Sequence, residues 1–539
     1  MASYARGYVR VIKYLLAGMT VFCVGLLVSV SEWHYGVRWS GSASARRVSL
    51  STMRTIVAYS EGKQAEMDRP SPVTCTRLPA FPEIPHIERG WNPGVTSPSL
   101  WQAVPGTGVL LYAAYYDERT AQKYVRILAR FPGRNISAEA PLFCQTRPLN
   151  ANEDAMEVVA ARPLAIWWPS WDNKTPNVET PLLLSCPLTD SLNGPSVVSV
   201  VTQPCDDPTN GFLLTPLHRN INRMFTLCVK DMNFKKDISQ QLVEWIEMNK
   251  ILGADMIDVY VDEVSNETEK ILLYYRDRGY IRLFKVPIKH RERILWQRRR
   301  DHIITYNDCL YRNIFESEYI VPIDVDEIIL PKIAADWRSL LKRLNEQGLQ
   351  KKPYSAILIR NVFFFDFLQD IKPQHNISKT EIYTKRDDVR IPDELQKSSV
   401  KLIDDESISN EVIFNRDVNN KSYDKYKARC GEEMIVPKIV RNVIRSGSVS
   451  PPGFYVKSMM LTGKVLTAFN HYPLTSLNGY SHWSAPFSEV QLNHYKESCN
   501  NKLVKCDLYR WSARVDRSAL RLRTKLEDAL ASAICVNKT

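Results

Sequence analysis

From Met224 onward the apolar positions fall into a repeating order. "MFTLCVK" reads as a buried strand, and "DISQQLVEWIEMNKIL", Asp237 to Leu252, sets Leu242, Trp245, Ile246 and Asn249 at helical spacing, with Asp237 placed to cap the helix and Gly253 to end it. The strand "MIDVYVDE", the helix "NETEKILLYYRDRG" and the strand "YIRLFKV" follow, and a longer helix over "LWQRRRDHIITYNDCLYRNIFESE" delivers the chain into "YIVPIDVDEIILPK", Tyr319 to Lys332. Strand alternating with helix predicts an α/β domain over 221–500, a mostly parallel sheet with covering helices. Before it, short apolar runs such as "GVLLYAAYYD", "KYVRILARF", "LAIWWPSW" and "SVVSVVTQP", separated by Pro, Gly and Asn, predict a small β-rich module over 106–220. Residues 501–539 read as a C-terminal helical extension.

The first hundred residues carry a different pattern. "YLLAGMTVFCVGLLVSVS", Tyr14 to Ser31, has no charged residue in 18 positions, enough for a bilayer span if Arg10 and Lys13 snorkel. This predicts a cytosolic tail over 1–13, an anchor over 14–31 and a stem over 32–105, rich in Ser, Pro and Arg, that ends in an extended lead-in. A cleaved signal peptide is the rival reading, but the small-residue site at Ala43 to Ala45 lies far from the apolar run. Flanking Lys and Arg do not decide orientation, since Arg6, Arg10 and Lys13 precede the run and Arg38, Arg46 and Arg47 follow it.

Ten of the eleven cysteines and all six Asn-x-Ser/Thr sequons, at Asn135, Asn173, Asn266, Asn376, Asn420 and Asn537, lie after the run. Both features belong to an oxidising, glycosylating lumen, so the bulk of the chain is expected there, with disulfides among an even set of cysteines. A formal charge of +12 suits polyanions without naming one, and no zinc-finger spacing or complete basic-aromatic module points to nucleic acid.

Chemistry concentrates at the end of "YIVPIDVDEIIL". Asp324, Asp326 and Glu327 directly follow an apolar strand, and buried acids need a partner. In an extended segment Asp324 and Asp326 point to one side and Glu327 elsewhere. Two hard oxygen donors suit Mn²⁺ or Mg²⁺ with positions left for phosphates. The plain alternative is a solvated turn. Pro322 inside the strand favours an edge or bulge position. No Walker-type loop, zinc-protease helix or serine elbow competes.

Six segments now appear in one order: "AYYDER" (Ala114 to Arg119), "LCVK" (Leu227 to Lys230), "LVEWIEMNKILGADMIDVYVDE", "YNDCLYR" (Tyr306 to Arg312), "PIDVDEIILP" and "FNHYP" (Phe469 to Pro473). Together they resemble glycosyltransferase family 92, over about Gly108 to Tyr495. The resemblance implies a GT-A nucleotide-sugar-binding fold, type II Golgi topology, Mn²⁺ dependence, and inverting transfer of galactose from UDP-galactose to a glycan. It sets Asp324 and Asp326 on the family's Asp-x-Asp and His471 on its late His-Tyr segment, as a third metal ligand. Two departures stand out: Pro473 where the family usually has Arg, and no further His near "RSGSVSPPGFYVKS".

Within that reading the metal bridges Asp326 and the diphosphate, and Asp324 orients the ribose and a metal-bound water. Val229 and Lys230 end the strand where uridine is expected, Asp262 closes the next strand, and Gln297, Arg300, Asn307 and Asp308 on the long helix reach for uridine or sugar. Inversion needs a carboxylate base, for which Asp366, Glu432 and Glu433 are the candidates. Cys228 is expected in a disulfide. Two other classes stay open: a lumenal glycan-binding protein or pseudoenzyme on the same fold, and a metal-dependent transferase acting on another phosphorylated donor.

Overall fold

The computed structural model describes residues 72–535 apart from 96–98, 135, 137–140, 150–154, 173, 218–219, 289–292, 371–402, 405–419 and 500–505. The expected tail, the anchor over 14–31, most of the stem, and the sequons at Asn135, Asn173, Asn376 and Asn537 lie outside the described residues. Among the described residues no helix is long and apolar enough to cross a membrane.

The β-rich region holds β1 (Gln102–Ala103), β2 (Leu110–Asp117), β3 (Tyr124–Pro132), β4 (Phe143–Pro148), β5 (Glu157–Ala160), β6 (Arg162–Ala165), β7 (Glu179–Pro187), β8 (Ser196–Val201) and β9 (Phe212–Leu214). They form two antiparallel sheets, β1-β2-β3-β7-β6 and β5-β4-β8-β9. "LAIWWPSW" is only partly strand: β6 stops at Ala165, Pro169 has no N–H to continue a ladder, and Trp171 turns back to the Trp168 carbonyl at 3.0 Å.

The alternation read from Met224 is present: β10 (Arg223–Phe234), α1 (Ser239–Leu252), β11 (Met256–Val264), α2 (Asn266–Asp277), β12 (Ile281–Lys285), α3 (Leu295–Asn313) and β13 (Ser317–Pro322). The Asp237 carboxylate accepts from the Ser239 N–H at 2.8 Å, and Gly253 closes α1 at φ 102°, a left-handed conformation that suits glycine. Further on come β14 (Glu327–Pro331), α4 (Trp337–Glu346), β15 (Tyr354–Ile359), β16 (Asn361–Phe365), β17 (Ile403–Asp404), α5 (Asn420–Cys430), β18 (Ile444–Arg445), β19 (Lys457–Leu461), β20 (Val465–Thr467), β21 (Thr475–Ser476), β22 (Ser481–Ser484), β23 (Val490–Lys496), β24 (Arg514–Val515) and α6 (Arg523–Leu530).

The central sheet runs β12-β11-β10-β13-β19-β15-β22, with β10 to β13 mutually parallel and β19 antiparallel to both its neighbours. The chain lays β11 and β12 to one side of β10 and then crosses to β13 on the other. Such a switch point leaves a crevice at the carboxyl ends of β10 and β13. A second sheet, β14-β23-β16, lies beyond it.

Pro322 is not on an edge strand, because β13 lies between β10 and β19. It is tolerated since it is the last strand residue, opposite Cys228, while β19 pairs only with Tyr319 and Ile320. The missing donor falls where the ladder has already opened.

α1, α2 and α4 share one buried cluster with the sheet, while α3 and the β-rich strands share another, in which Tyr112, Leu128 and Leu184 join Ile303, Leu310 and Ile320. Five disulfides take up the ten cysteines from Cys75 to Cys535: Cys75–Cys205, Cys144–Cys186, Cys228–Cys309, Cys430–Cys535 and Cys499–Cys506. Two expected boundaries shift. The lead-in is pinned to β12 by Lys285 N–H to Arg89 O at 2.9 Å and Trp91 N–H to Leu283 O at 3.1 Å. At the other end Leu522, Leu526 and Leu530 enter the cluster that holds Trp245, so residues 520–533 complete the core instead of extending it.

Candidate functional site

β10 pairs with β11 in register up to Val229 opposite Val259, then slips and resumes at Met232 opposite Val261. The extra residue makes a bulge at Lys230 and Asp231, with Asp231 at φ +31°. The bulge sends the two side chains into the crevice. The Lys230 ammonium donates to Asp324 Oδ1 across the switch point. Lys457, the first residue of β19 and 1% exposed, donates to the other Asp324 oxygen at 3.3 Å and lies 3.2 Å from Glu327 Oε2.

The acidic stretch is a turn and not an extended segment: the Glu327 N–H bonds the Asp324 carbonyl at 3.0 Å, and the Glu327 carboxylate folds back onto the Asp324 N–H, also at 3.0 Å. The ladder ends at Pro322, so the following residues are free to turn. Glu327, expected to face elsewhere, is buried within the same cluster. Directly opposite it on β23 stands His494, whose Nε2 is 3.2 Å from Asp326 Oδ2 and whose Nδ1 is 3.5 Å from Glu327 Oε1. Lys496 approaches Asp326 at 3.6 Å, and the Tyr495 N–H holds the Asp326 carbonyl at 2.8 Å.

Burial pushes the Asp324 carboxyl up, but Lys230 and Lys457 overcome it and hold the group well below the usual carboxylate range. Asp326 is likewise lowered against burial, mainly by its hydrogen bond to His494. Burial opposes the charge on Lys457 and Lys230 too, yet Asp324 raises both, with Glu327 adding to Lys457. The cations these acids were expected to wait for are, first of all, two lysines.

Asp231, the other bulge residue, accepts from Arg298 Nε at 2.6 Å and meets His302 Nε2 at 2.9 Å, with Arg293 at 3.6 Å. Arg293 is also paired with Asp262 at 2.8 Å and Asp301 at 3.0 Å. Tyr306 lies one turn beyond His302, with the Lys230 ammonium 5.8 Å from its ring centre. The face of α3 turned to the crevice is therefore Arg298, His302 and Tyr306.

The helix residues named from sequence lie on other faces. Arg300 is fully buried, pairs with Asp172 at 3.0 Å and stacks over Trp167. Gln297 accepts from the Glu179 N–H at 2.8 Å and donates to Asp301 at 3.0 Å. Asn307 binds the backbone of Ala468 in both directions, at 2.9 Å each. Asp308, fully buried, serves Tyr115, Tyr260 and Arg312. These four contact the β-rich strands or the core, so the expectation that they reach a nucleotide is replaced by a structural role. Val229 is buried in the sheet, and Asp262, near the end of β11, pairs with Arg293 at 2.8 Å and accepts from the Asn233 side chain at 2.7 Å.

His471 lies within electrostatic reach of Lys457, Lys230 and Asp324, and burial together with Lys457 pushes it down to about 4. Both its ring nitrogens are engaged, Nδ1 with the Val456 carbonyl at 2.7 Å and Nε2 with the Asn470 side chain at 3.1 Å. Asp366, just after β16, pairs with Lys438 at 2.8 Å and Asn442 at 3.2 Å. Glu433 is exposed beside Lys427, and Glu432 lines a small hollow with Gln240 and Tyr426. Asn266 is exposed at the start of α2, as a sequon requires.

The model of glycosyltransferase family 92 matches residues 223–527, more than half of the chain. The chain belongs to glycosyltransferase family 92. The matched span opens with β10 and closes in α6, so the family domain is the α/β sheet with its C-terminal helix; the β-rich strands, including "AYYDER", lie outside it. No curated protein matches the chain. Among solved structures, a lipoprotein from Staphylococcus aureus subsp. aureus overlaps 21% of this chain and 92% of its own at 8% identity and a TM-score of 0.14, too slight a likeness to carry an argument.

For this family 92 chain the late His-Tyr segment has two candidates. "FNHYP" has Pro473 in third place, whereas His494-Tyr495-Lys496 has a basic third residue and is the one that reaches the Asp-x-Asp. That repeated dipeptide was the signal the sequence offered. Among the described residues no three His, Cys, Asp or Glu side chains gather in a way that could hold a metal ion. Asp324, expected to bind the metal, has its two oxygens on the Lys230 and Lys457 ammonium groups. Asp326 and His494 Nε2 set one oxygen and one nitrogen donor 3.2 Å apart, with Lys496 3.6 Å from the same oxygen, and this pair is the one whose chemistry suits a divalent ion.

Proposed function

We propose that this family 92 glycosyltransferase is a metal-dependent, inverting enzyme that transfers galactose from UDP-galactose to a glycan acceptor, as a single-pass type II glycoprotein of the Golgi with its catalytic part lumenal. The observation that carries the site is the meeting of Lys230, Asp324, Lys457, Asp326 and His494 at the switch point of the sheet, where open α/β folds bind phosphorylated ligands. Numbered along the family domain, the sheet order is 3-2-1-4-6-5-7 with the sixth strand reversed, which supports the GT-A reading. The sugar and the Golgi rest on the family resemblance, and the lumenal side on the disulfides and sequons.

Asp326 and His494 would hold Mn²⁺ or Mg²⁺, which supplies charge neutralisation to a departing diphosphate. Lys230 and Lys457 set their ammonium groups beside the same diphosphate position, while Asp324 holds both lysines in place. The acceptor hydroxyl attacks the anomeric carbon as its bond to the diphosphate oxygen breaks, and its proton passes to a carboxylate. The candidates for that base are Asp366, half-exposed after β16 and paired with Lys438, and the pair Glu432 and Glu433.

Melting curves with UDP and Mn²⁺, separately and together, test the donor site: extra stabilisation is expected only with both. A screen of nucleotide sugars for release of UDP then tests the sugar. A protein that UDP does not stabilise with or without metal returns the glycan-binding reading, and turnover of a different phosphorylated donor returns the third.

A further inference from the structure

The loop from Ser446 to Val456 joins β18 to β19 and enters the crevice through Lys457. Its first half is clamped. The Ser446 N–H bonds the Phe363 carbonyl at 2.7 Å, the Ser450 N–H bonds the Asn361 carbonyl at 2.9 Å, and the Ser450 side chain accepts from the Asn361 N–H at 2.7 Å. A Cβ at Gly447 would stand 1.9 Å from the Ser512 carbonyl oxygen, so the chain passes there only as glycine. Next comes a tight turn, closed by the Phe454 N–H on the Pro451 carbonyl at 3.1 Å, with Gly453 at φ +80° in the third place. Pro then Gly is the type II pattern, rigid before any ligand arrives.

This rigid loop presents two aromatic rings to solvent. Phe454 is 57% exposed and Tyr455 is 70% exposed, the latter at φ +50°, an uncommon conformation for a bulky residue. Tyr455 stands edge-on to His471 with ring centres 6.4 Å apart, His471 meets Trp171 at 5.8 Å, and Lys457, two residues on, touches Asp324. Adjacent exposed rings, held by a clamped turn at the lip of a charged crevice, form a preorganised contact surface. Aromatic faces of this kind suit the C–H face of a pyranose, whose hydroxyl rim stays wet.

We infer that Phe454 and Tyr455 form the acceptor subsite, on which a pyranose ring of the glycan stacks while its hydroxyl reaches toward the crevice. This rests on the glycosyltransferase reading and deepens it. Saturation-transfer NMR with methyl glycosides of galactose, glucose, N-acetylglucosamine and fucose tests it on the full chain, in the presence of UDP and Mn²⁺. At least one glycoside should bind the parent, and its affinity should fall about tenfold or more in F454A/Y455A, with the melting temperature and UDP affinity unchanged because both rings are exposed. Tyr455→Gly should weaken glycoside binding while raising the melting temperature, since glycine adopts a positive φ without strain. Tyr455→Phe should restore binding. Glycoside signals unchanged in the double variant, or absent from the parent, overturn the subsite. Loss of binding to phosphatidylcholine vesicles without loss of glycoside signals overturns it in favour of a lipid contact. UDP affinity is read separately, so failure of the donor reading is distinguished from failure of this one.

Discussion

Two clusters of buried charge flank α3. On one side Asp308 is enclosed by Tyr115, Tyr260 and Arg312, while Asp117 is held by Arg119 and Arg126, and Arg300 by Asp172. On the other side Asp324, Asp326 and Glu327 meet Lys230, Lys457 and His494. Both clusters shift their groups strongly. Against burial, Arg312 and Arg89 hold Asp308 below the usual range much as the lysines hold Asp324. What separates them is access: Asp308 is fully buried between two layers, whereas the Asp324 and Asp326 side chains keep 32% and 29% of their surface at the open end of the sheet. A perturbed acid marks a function only where a ligand can reach it.

The largest effect should fall on the closed cluster. Asp308→Ala leaves Arg312 and two tyrosines facing a void, and about 3–5 kcal/mol of stability should be lost in a denaturant titration. Retained stability would mean that the layers around α3 are held by apolar packing alone. In the open cluster the cost appears in chemistry: Asp326→Asn should lower transfer at least about 100-fold with an unchanged melting temperature. Near-parental turnover would remove the metal reading.

A smaller effect separates the two kinds of cation. Lys457→Met leaves Asp324 and Glu327 without their shared ammonium, so by calorimetry UDP affinity should fall about tenfold while affinity for Mn²⁺ alone rises. If both fall, the lysine serves only to hold the turn. The smallest effect is the open side's share of a pH dependence, to which His482 on β22, also pushed down to about 4 by burial, adds separately. Burial pushes His302 and His471 down to about 4. The unfolded chain, with histidines near about 6.5, binds more protons between these values, so stability is lost as pH falls through that window. His302→Gln with His471→Gln should shrink the loss in melting temperature between pH 7 and pH 5, whereas Asp308→Ala should leave its size unchanged.

Much of this was legible along the chain because it is local. Hydrophobic periodicity fixed the order β10 to β13, turn and cap residues marked the ends of α1, and the acids after an apolar strand marked the crevice. The even cysteine count anticipated full pairing, though not the partners. The face of α3 was not legible. Arg298, His302 and Tyr306 lie on one stripe of the same helix whose other stripes carry Arg300, Asn307 and Asp308, and polarity is similar on each. Only the docking of the β-rich sheets against one side decides which stripe remains for a ligand.

The same division holds at the acids. Their identity and position belong to the sequence, since a carboxylate at a strand end is a local fact. Their partners come from β10, β19 and β23, respectively 94, 133 and 168 residues away along the chain. Two late His-Tyr pairs offered themselves, and although only the second has a basic third residue, spacing does not show which one reaches the acids. Strand pairing does, because β23 lies antiparallel to β14 with His494 opposite Glu327, while His471 spends both ring nitrogens on its own neighbourhood. The sequence by itself determined which groups could carry charge; tertiary structure decided which of them meet, because contacts between distant segments are set by sheet register and layer packing and not by any pattern along the chain.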